Sequence, residues 1–266
     1  AGGAGRDHWG DQYLVGSTPV YHLLGAEGLD MMSYSFHTYS LPSYVVTEFD
    51  EDRWEHYNVF NVRYVVAPDY WTKPDFVRLI QKFGQHNLYA VDTQGYFDLV
   101  KSDLSLAGET SDFYYVASGW LSSPLPEMKR FPKVYVDAYP SGPNTIHFSE
   151  STGVIPYRPV IDGSSLGSVR SEKIGRSYYS ADVVVDNEST LLLKATYHPN
   201  FEASVNGVNA NIVMLMPGFM GIELSPGIHK VHIEYQSETI RKVLLSIAPL
   251  ALLLILLGER RGYAFC

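Results

Sequence analysis

The chain has 266 residues, 45% of them hydrophobic and 14% aromatic, enough apolar material to bury one large core or two smaller ones. Its 29 acidic side chains outnumber 20 basic ones, giving a net charge of −9, and Lys and Arg are scattered, which excludes nucleic acid as a partner. Cysteine occurs once, at Cys266, so disulfides and cysteine-based metal sites are excluded from the main body of the chain.

Residues 1–45 are rich in Gly, Tyr and His without a sustained hydrophobic period, and they predict an irregular region with short turns of helix. Loops of that length are usually functional. Asp7, His8 and Trp9, with Tyr34, His37 and Tyr39, concentrate polar and aromatic groups there. Aromatic faces stack on sugar rings and His or Asp can bond hydroxyls, so these six residues are the candidate glycan-facing set.

From Asp50 the pattern predicts a short helix through Phe60, with Glu51 and Asp52 in its first turn where carboxylates oppose the dipole. The acidic run thus needs no metal. Asn61 to Ala67, β-branched and aromatic, reads as a strand ended by Pro68. Thr72, Pro74 and Gly84 then bracket a predicted helix with Phe76, Leu79, Ile80 and Phe83 on one face. Two further strands, Asn87 to Val91 and Tyr96 to Lys101, flank the turn Asp92-Thr93-Gln94-Gly95, completing a small α/β domain over residues 46–130. Phe113 to Ala117 reads as one more strand, and the Pro-spaced stretch after it predicts a domain boundary near 130.

Beyond that boundary, residues 131–238 predict an antiparallel β-sandwich of jelly-roll or immunoglobulin-like type, making the chain α+β. The strands are Lys133 to Tyr139, Thr145 to Ser149, Ala181 to Asp186, Thr190 to His198, Phe201 to Asn206, Asn211 to Leu215, Met220 to Leu224 and Ile228 to Tyr235. In the fourth, Leu191, Leu193, Ala195 and Tyr197 share a face opposite Lys194, Thr196 and His198, and Asn206-Gly207 is a two-residue hairpin signal. His229 and His232 are three apart and point to opposite faces of a strand, so they cannot share a metal ion. His232 falls with Lys230 and Glu234 on the wet face. Nucleophile elbow, phosphate loop and HExxH patterns are lacking, and Glu48, Asp50 and Glu55 are explained as helix-end and surface charges. No catalytic residue, cofactor or metal ligand is assigned.

Val243 to Leu257 is a run of fifteen uncharged residues between Arg241-Lys242 and Glu259-Arg260-Arg261, apolar on every face. It reads as a transmembrane helix over residues 241–258, followed by a cytoplasmic tail at 259–266. At about 1.5 Å per residue it spans roughly 22 Å, so flanking basic side chains must snorkel or the bilayer must thin. Pro249 in its middle favours neighbouring helices. The sequence opens on AGGAGRDHWG, which has the pattern of no signal peptide. The expectation is a cell-membrane protein with membrane lipid and upstream transmembrane helices of the same protein as partners, or else a tail-anchored protein that stays in the cytosol; two basic residues on each side of the segment leave its orientation undecided.

The run KATYHPNFEASVNGV, followed by MPGFMGIELSPGIHKVHIEYQ and then the apolar segment, resembles the carboxy-terminal end of YfhO-like bacterial membrane proteins and related GT-C-type glycosyltransferases. NVFNVRYVVAP and YLVGSTPVYHLLGAEGLDMMSYSF are similar to that family's strand and the loop before it, so the resemblance covers most of residues 13–257. It implies a non-catalytic accessory domain, extracytoplasmic and lying between the last two transmembrane helices of a polytopic enzyme that moves a sugar from a polyprenyl-phosphate carrier. The implied catalytic carboxylate lies in an early loop upstream of this sequence. The chain departs from the family at His198-Pro199-Asn200-Phe201, where the family has Tyr-Pro-Gly-Trp. The alternative is a membrane-tethered glycan-binding module with no enzyme attached, taking an envelope glycan.

Overall fold

A computed structural model describes residues 14–15, 18–29, 32, 40–142, 144–149 and 163–237, with 247, 249, 255 and 256. Strands β1 (Leu14–Val15) and β2 (Thr18–Pro19) pair antiparallel and lead into helix α1 (Val20–Ala26), with α2 (Leu41–Tyr44) further on. Short elements thus interrupt the region expected to be irregular.

Helix α3 (Trp54–Val59) starts later than predicted. Asp50 forms a turn instead of a cap, its Oδ1 accepting from the Asp52 N–H at 3.0 Å, and Arg53 occupies the N-cap position. Strands β3 (Tyr64–Pro68), β4 (Arg78–Phe83) and β5 (His86–Ala90) follow as an all-antiparallel sheet in the order β3-β5-β4. The helix predicted from Thr72 to Gly84 is therefore a turn and a strand. Pro74 closes a turn by accepting from the Val77 N–H, and Gly84, at φ +59, is the first residue of a two-residue β4–β5 hairpin rather than a helix stop. Glycine at that place suits the tight primed turns. Cross-strand pairing overrode a local pattern that suited either structure. No crossover helix exists within this sheet, which packs Val65, Val77 and Tyr89 against Tyr57 of α3.

The predicted hairpin across Asp92-Thr93-Gln94-Gly95 does not form either. Strand β6 (Phe97–Val100) leaves β5 and joins a seven-stranded sheet. That sheet takes in β7 (Ser105–Gly108), β8 (Lys133–Val136), β9 (Thr145–His147), β12 (Ser189–Thr196), β15 (Val213–Leu215) and β16 (Phe219–Leu224) in the order β6-β12-β16-β15-β8-β7-β9. Because β6 and β7 lie in it, the boundary expected near 130 is crossed by hydrogen-bonded strands. Pairing is antiparallel except for β8-β7-β9, which is parallel. Phe113 to Ala117 is not a strand but the start of helix α4 (Phe113–Ser122). Its buried residues, Phe113, Val116, Ala117, Trp120 and Leu121, keep the i, i+3, i+4, i+7 spacing of one helical face.

The remaining strands, β10 (Gly167–Ile174), β11 (Tyr178–Val185), β13 (Phe201–Val205), β14 (Val208–Ala210) and β17 (Gly227–Tyr235), form a five-stranded antiparallel sheet ordered β10-β11-β17-β13-β14. The Asn206-Gly207 hairpin joins β13 to β14 with both residues at positive φ, +52 and +80. The molecule is thus a mixed α+β fold dominated by sheets. Ala181, Val183, Val185, Val231 and Ile233 of the smaller sheet pack against Leu99, Leu191, Leu193, Met220 and Ile222 of the larger. Val100, Leu106, Leu192, Leu215 and Phe219 on the opposite side of the larger sheet meet α4. Strand β12 is therefore the middle of three layers and is buried on both faces, which is why Leu191-Leu192-Leu193 runs apolar without alternation.

Two side chains of the α3 segment hold the end of α4. Arg53 Nη1 and Nη2 donate to the carbonyls of Leu121 and Ser123 at 3.2 and 3.1 Å, supplying a cation where the helix dipole is negative. His56 accepts the Asp50 N–H at Nδ1, 2.8 Å, which leaves Nε2 protonated to donate to the Leu121 carbonyl at 3.1 Å. Burial keeps this imidazole below its ordinary pKa, and so neutral.

Of the segment 241–258, only Ile247, Pro249, Ile255 and Leu256 are described; all four are helical and exposed. Among the described residues no helix is long and apolar enough to cross a membrane. The tail at 259–266 lies outside the described residues.

Two outcomes follow for stability. Leu192→Ala, at a fully buried position, is expected to cost about 2–5 kcal/mol in urea unfolding, while Phe83→Ala, 55% exposed on β4, costs less than about 1 kcal/mol. A helix over 72–84 with Phe83 on its packed face would raise the cost of Phe83→Ala to about 3–5 kcal/mol. Because the folded pKa of His56 lies below 6.5, the unfolded chain holds the extra proton below that pH. Its contribution is complete above pH 6.5 and declines as pH falls through the folded value. His56→Gln, whose amide offers one acceptor and a donor without titrating, should flatten this acid limb of stability measured against pH.

Candidate functional site

Alternation along the five-stranded sheet turns its apolar residues inward and leaves a polar outer face. Register then aligns that face into transverse rows. Lys173 on β10 lies opposite Ser180 on β11, Ser180 opposite His232 on β17, His232 opposite Ser204 on β13, and Ser204 opposite Asn209 on β14. At about 4.8 Å between neighbouring strands, this row spans roughly 19 Å. A second row sets Ser171, Asp182 and Lys230 side by side, and a third Tyr178, Glu234 and Glu202.

The first two rows, Asn209 apart, line a concavity of about 520 Å³. Within it Ser171 Oγ donates to Asp182 Oδ2 at 2.9 Å. The Tyr178 and His232 rings lie 5.5 Å apart at 32°, forming one continuous aromatic surface at its margin. Tyr178 can lie there because residue 175 is glycine: a Cβ at Gly175 would collide with the tyrosine ring. His232 Nε2 is 3.7 Å from Glu234 Oε2. Glu172, between Ser171 and Lys173, turns to the other side. Its carboxylate accepts from Arg63 Nη2 at 3.0 Å and from the Tyr96 N–H at 2.9 Å. Gly95, at φ +90, allows that approach, since a Cβ there would sit 2.6 Å from the Glu172 oxygen.

Beside this carboxylate lies the most strongly perturbed cation. Lys194 is 6% exposed, and its Nζ donates to Asn58 Oδ1 at 3.0 Å, an oxygen that also takes the Gln94 N–H at 3.0 Å. Burial lowers its pKa to about 8, against the pull of nearby Asp98, which itself pairs with Lys129 at 2.8 Å. The sequence reading set Lys194 on a polar face opposite the leucines; the α3 unit covers that face. With its ammonium enclosed, Lys194 serves as a polar tie between α3, the 92–95 turn and β12. A second concavity, of about 500 Å³, lies where β6, β12 and β16 end, and there Lys133 pairs with Glu223 while Lys101 donates to the Glu188 carbonyl at 3.1 Å.

Asp7, His8, Trp9, Tyr34, His37 and Tyr39 lie outside the described residues. The wet-face position of His232 beside Lys230 and Glu234 is as the strand alternation predicts. Ser180, Ser204 and Tyr178 were missed, because each becomes part of a site only through register. Among the described residues no group of three or more His, Cys, Asp or Glu is placed to hold a metal ion. The face carries donors, acceptors and an aromatic surface, a chemistry complementary to hydroxyl groups and apolar ring faces. Comparison with protein-family models, curated proteins and solved structures yields no match to the chain.

Replacing Lys194 tests the cost of burying its ammonium. Below about pH 8 the folded protein carries a buried ammonium, while between pH 8 and 10.5 the unfolded chain holds a proton that the folded one lacks. Stability should rise with pH through that window. Lys194→Met is expected to remove this rise and to stabilise the protein at pH 7 by about 1–3 kcal/mol in chemical denaturation, since Asn58 Oδ1 keeps its bond from Gln94.

Proposed function

We propose that the chain is a non-catalytic, glycan-facing extracytoplasmic domain of a polytopic membrane glycosyltransferase that uses a polyprenyl-phosphate-linked sugar donor. The observation that carries the glycan-facing part is the transverse row of Lys173, Ser180, His232, Ser204 and Asn209 beside the Tyr178–His232 aromatic surface. Hydroxyl, amide and imidazole groups at strand spacing match the repeated hydroxyls of a saccharide, and a ring face stacks on the apolar face of a sugar. Support for the membrane setting comes from the sequence: strand β17 ends at Tyr235, and the fifteen-residue apolar segment begins at Val243. The glycosyltransferase setting rests on the resemblance carried by residues 13–257.

A second reading, a membrane-tethered glycan-binding module, is favoured by one feature. The row and its aromatic margin are complete within one sheet of one chain and require no enzyme beside them. Both readings make the same demand on the site. Titration of the full chain in detergent with envelope oligosaccharides should show saturable binding, and Tyr178→Ala should weaken it about two- to tenfold. Tyr64→Ala, removing a tyrosine 56% exposed on β3, should leave it unchanged. Equal affinity for the Tyr178 variant and the parent would contradict the reading.

A further inference from the structure

We propose that the ligand of the five-stranded sheet's outer face is an acidic saccharide, its carboxylate or phosphate held between Lys173 and Lys230; this rests on the glycan-facing reading above. The row that crosses all five strands contains an ammonium, two hydroxyls, an imidazole and an amide, and no carboxylate. Lys173 only donates, while the hydroxyls, imidazole and amide both donate and accept, so every position of the row can donate to a ligand rich in acceptors. Among the described residues neither Lys173 nor Lys230 forms an ion pair, although Asp182 lies directly opposite Lys230. Asp182 already accepts the Ser171 hydroxyl. Of the two acidic residues that line the concavity with Lys173 and Lys230, Glu172 has its carboxylate committed to Arg63 and the Tyr96 N–H, which leaves Asp182 facing two lysines in a chain whose net charge is −9. Glu234 and Glu202 lie one row further toward Tyr178. They restrict the anion to the Lys173–Lys230 side, leaving neutral sugar to the aromatic end.

The test compares two probes of the same length on the full chain in detergent: a uronic-acid-containing tetrasaccharide, and the same tetrasaccharide with its carboxyl groups reduced to alcohols. The acidic probe should bind about tenfold tighter at low salt, with the difference shrinking as salt is added. Lys173→Gln and Lys230→Gln should each bring the acidic probe toward the neutral one, with a much smaller effect on the neutral probe. Tyr178→Ala should weaken both probes alike. Equal binding of the two probes, unmoved by the lysine substitutions, overturns the acidic-ligand proposal and leaves the glycan-facing reading intact. No binding of either probe overturns both. Inorganic phosphate competing as tightly as the saccharide would also overturn the proposal, because the site would then hold an anion without its sugar.

Discussion

Strand β12 is the constraint on which the remaining architecture depends. It lies between two layers, with Leu191 and Leu193 facing the smaller sheet and Leu192 facing helix α4, so neither side of its leucine run reaches water. An alternating strand could not occupy that place, because one face would bury unpaired polar groups. The one charged side chain of the strand, Lys194, is tolerated because Asn58 accepts from it and Asp98 lies nearby. The ammonium thereby ties the N-terminal α3 unit to the sandwich, and the apparent boundary near 130 becomes an interior.

That arrangement decides where a binding surface can exist. One face of the seven-stranded sheet is covered by the smaller sheet and the other by α4. The smaller sheet has no third layer against it in the described residues, and its strands alternate between apolar core and polar surface. Once register is fixed by the inward set of Ala181, Val183, Val231, Ile233 and Ala203, the outward set has no freedom. Lys173, Ser180, His232 and Ser204 line up because their inward neighbours do. A one-residue slip of β17 would turn His232 into the core and break the row. Even the aromatic margin follows from packing, since Tyr178 occupies the space that Gly175 leaves empty.

Much of this was legible in the sequence, and the errors have physical causes. The later strands and the Asn206-Gly207 hairpin carry signals that act within a few residues, so they could be read directly. The segment from Thr72 to Gly84 could not, because Pro74 and Gly84 serve a turn and a hairpin as well as they serve helix ends, and only pairing with β5 chooses between them. Helix α4 was readable: Phe113, Val116, Ala117, Trp120 and Leu121 carry the helical period, and the aromatic and β-branched start of the segment hid it. Strand β10 went unseen because its sequence, GSVRSEKI, mixes polar residues on both faces, as an edge strand can. The burial of Lys194 had no local signal at all, since the group that covers it comes from residue 58. For the site, the wet face of β17 was foreseeable from His232 and Lys230, whereas the row across five strands exists only after long-range pairing.

The account stands on the claim that the outer face of the five-stranded sheet holds a saccharide. Mapping amide chemical-shift changes on the isotope-labelled full chain during titration with the uronic-acid tetrasaccharide tests it directly. The changes should cluster at residues 171–173, 178–182, 204–209 and 230–232, one patch made of five strands. Changes concentrated instead around α4 or the β3-β5-β4 sheet, or a spectrum unmoved at saturating saccharide, would contradict it.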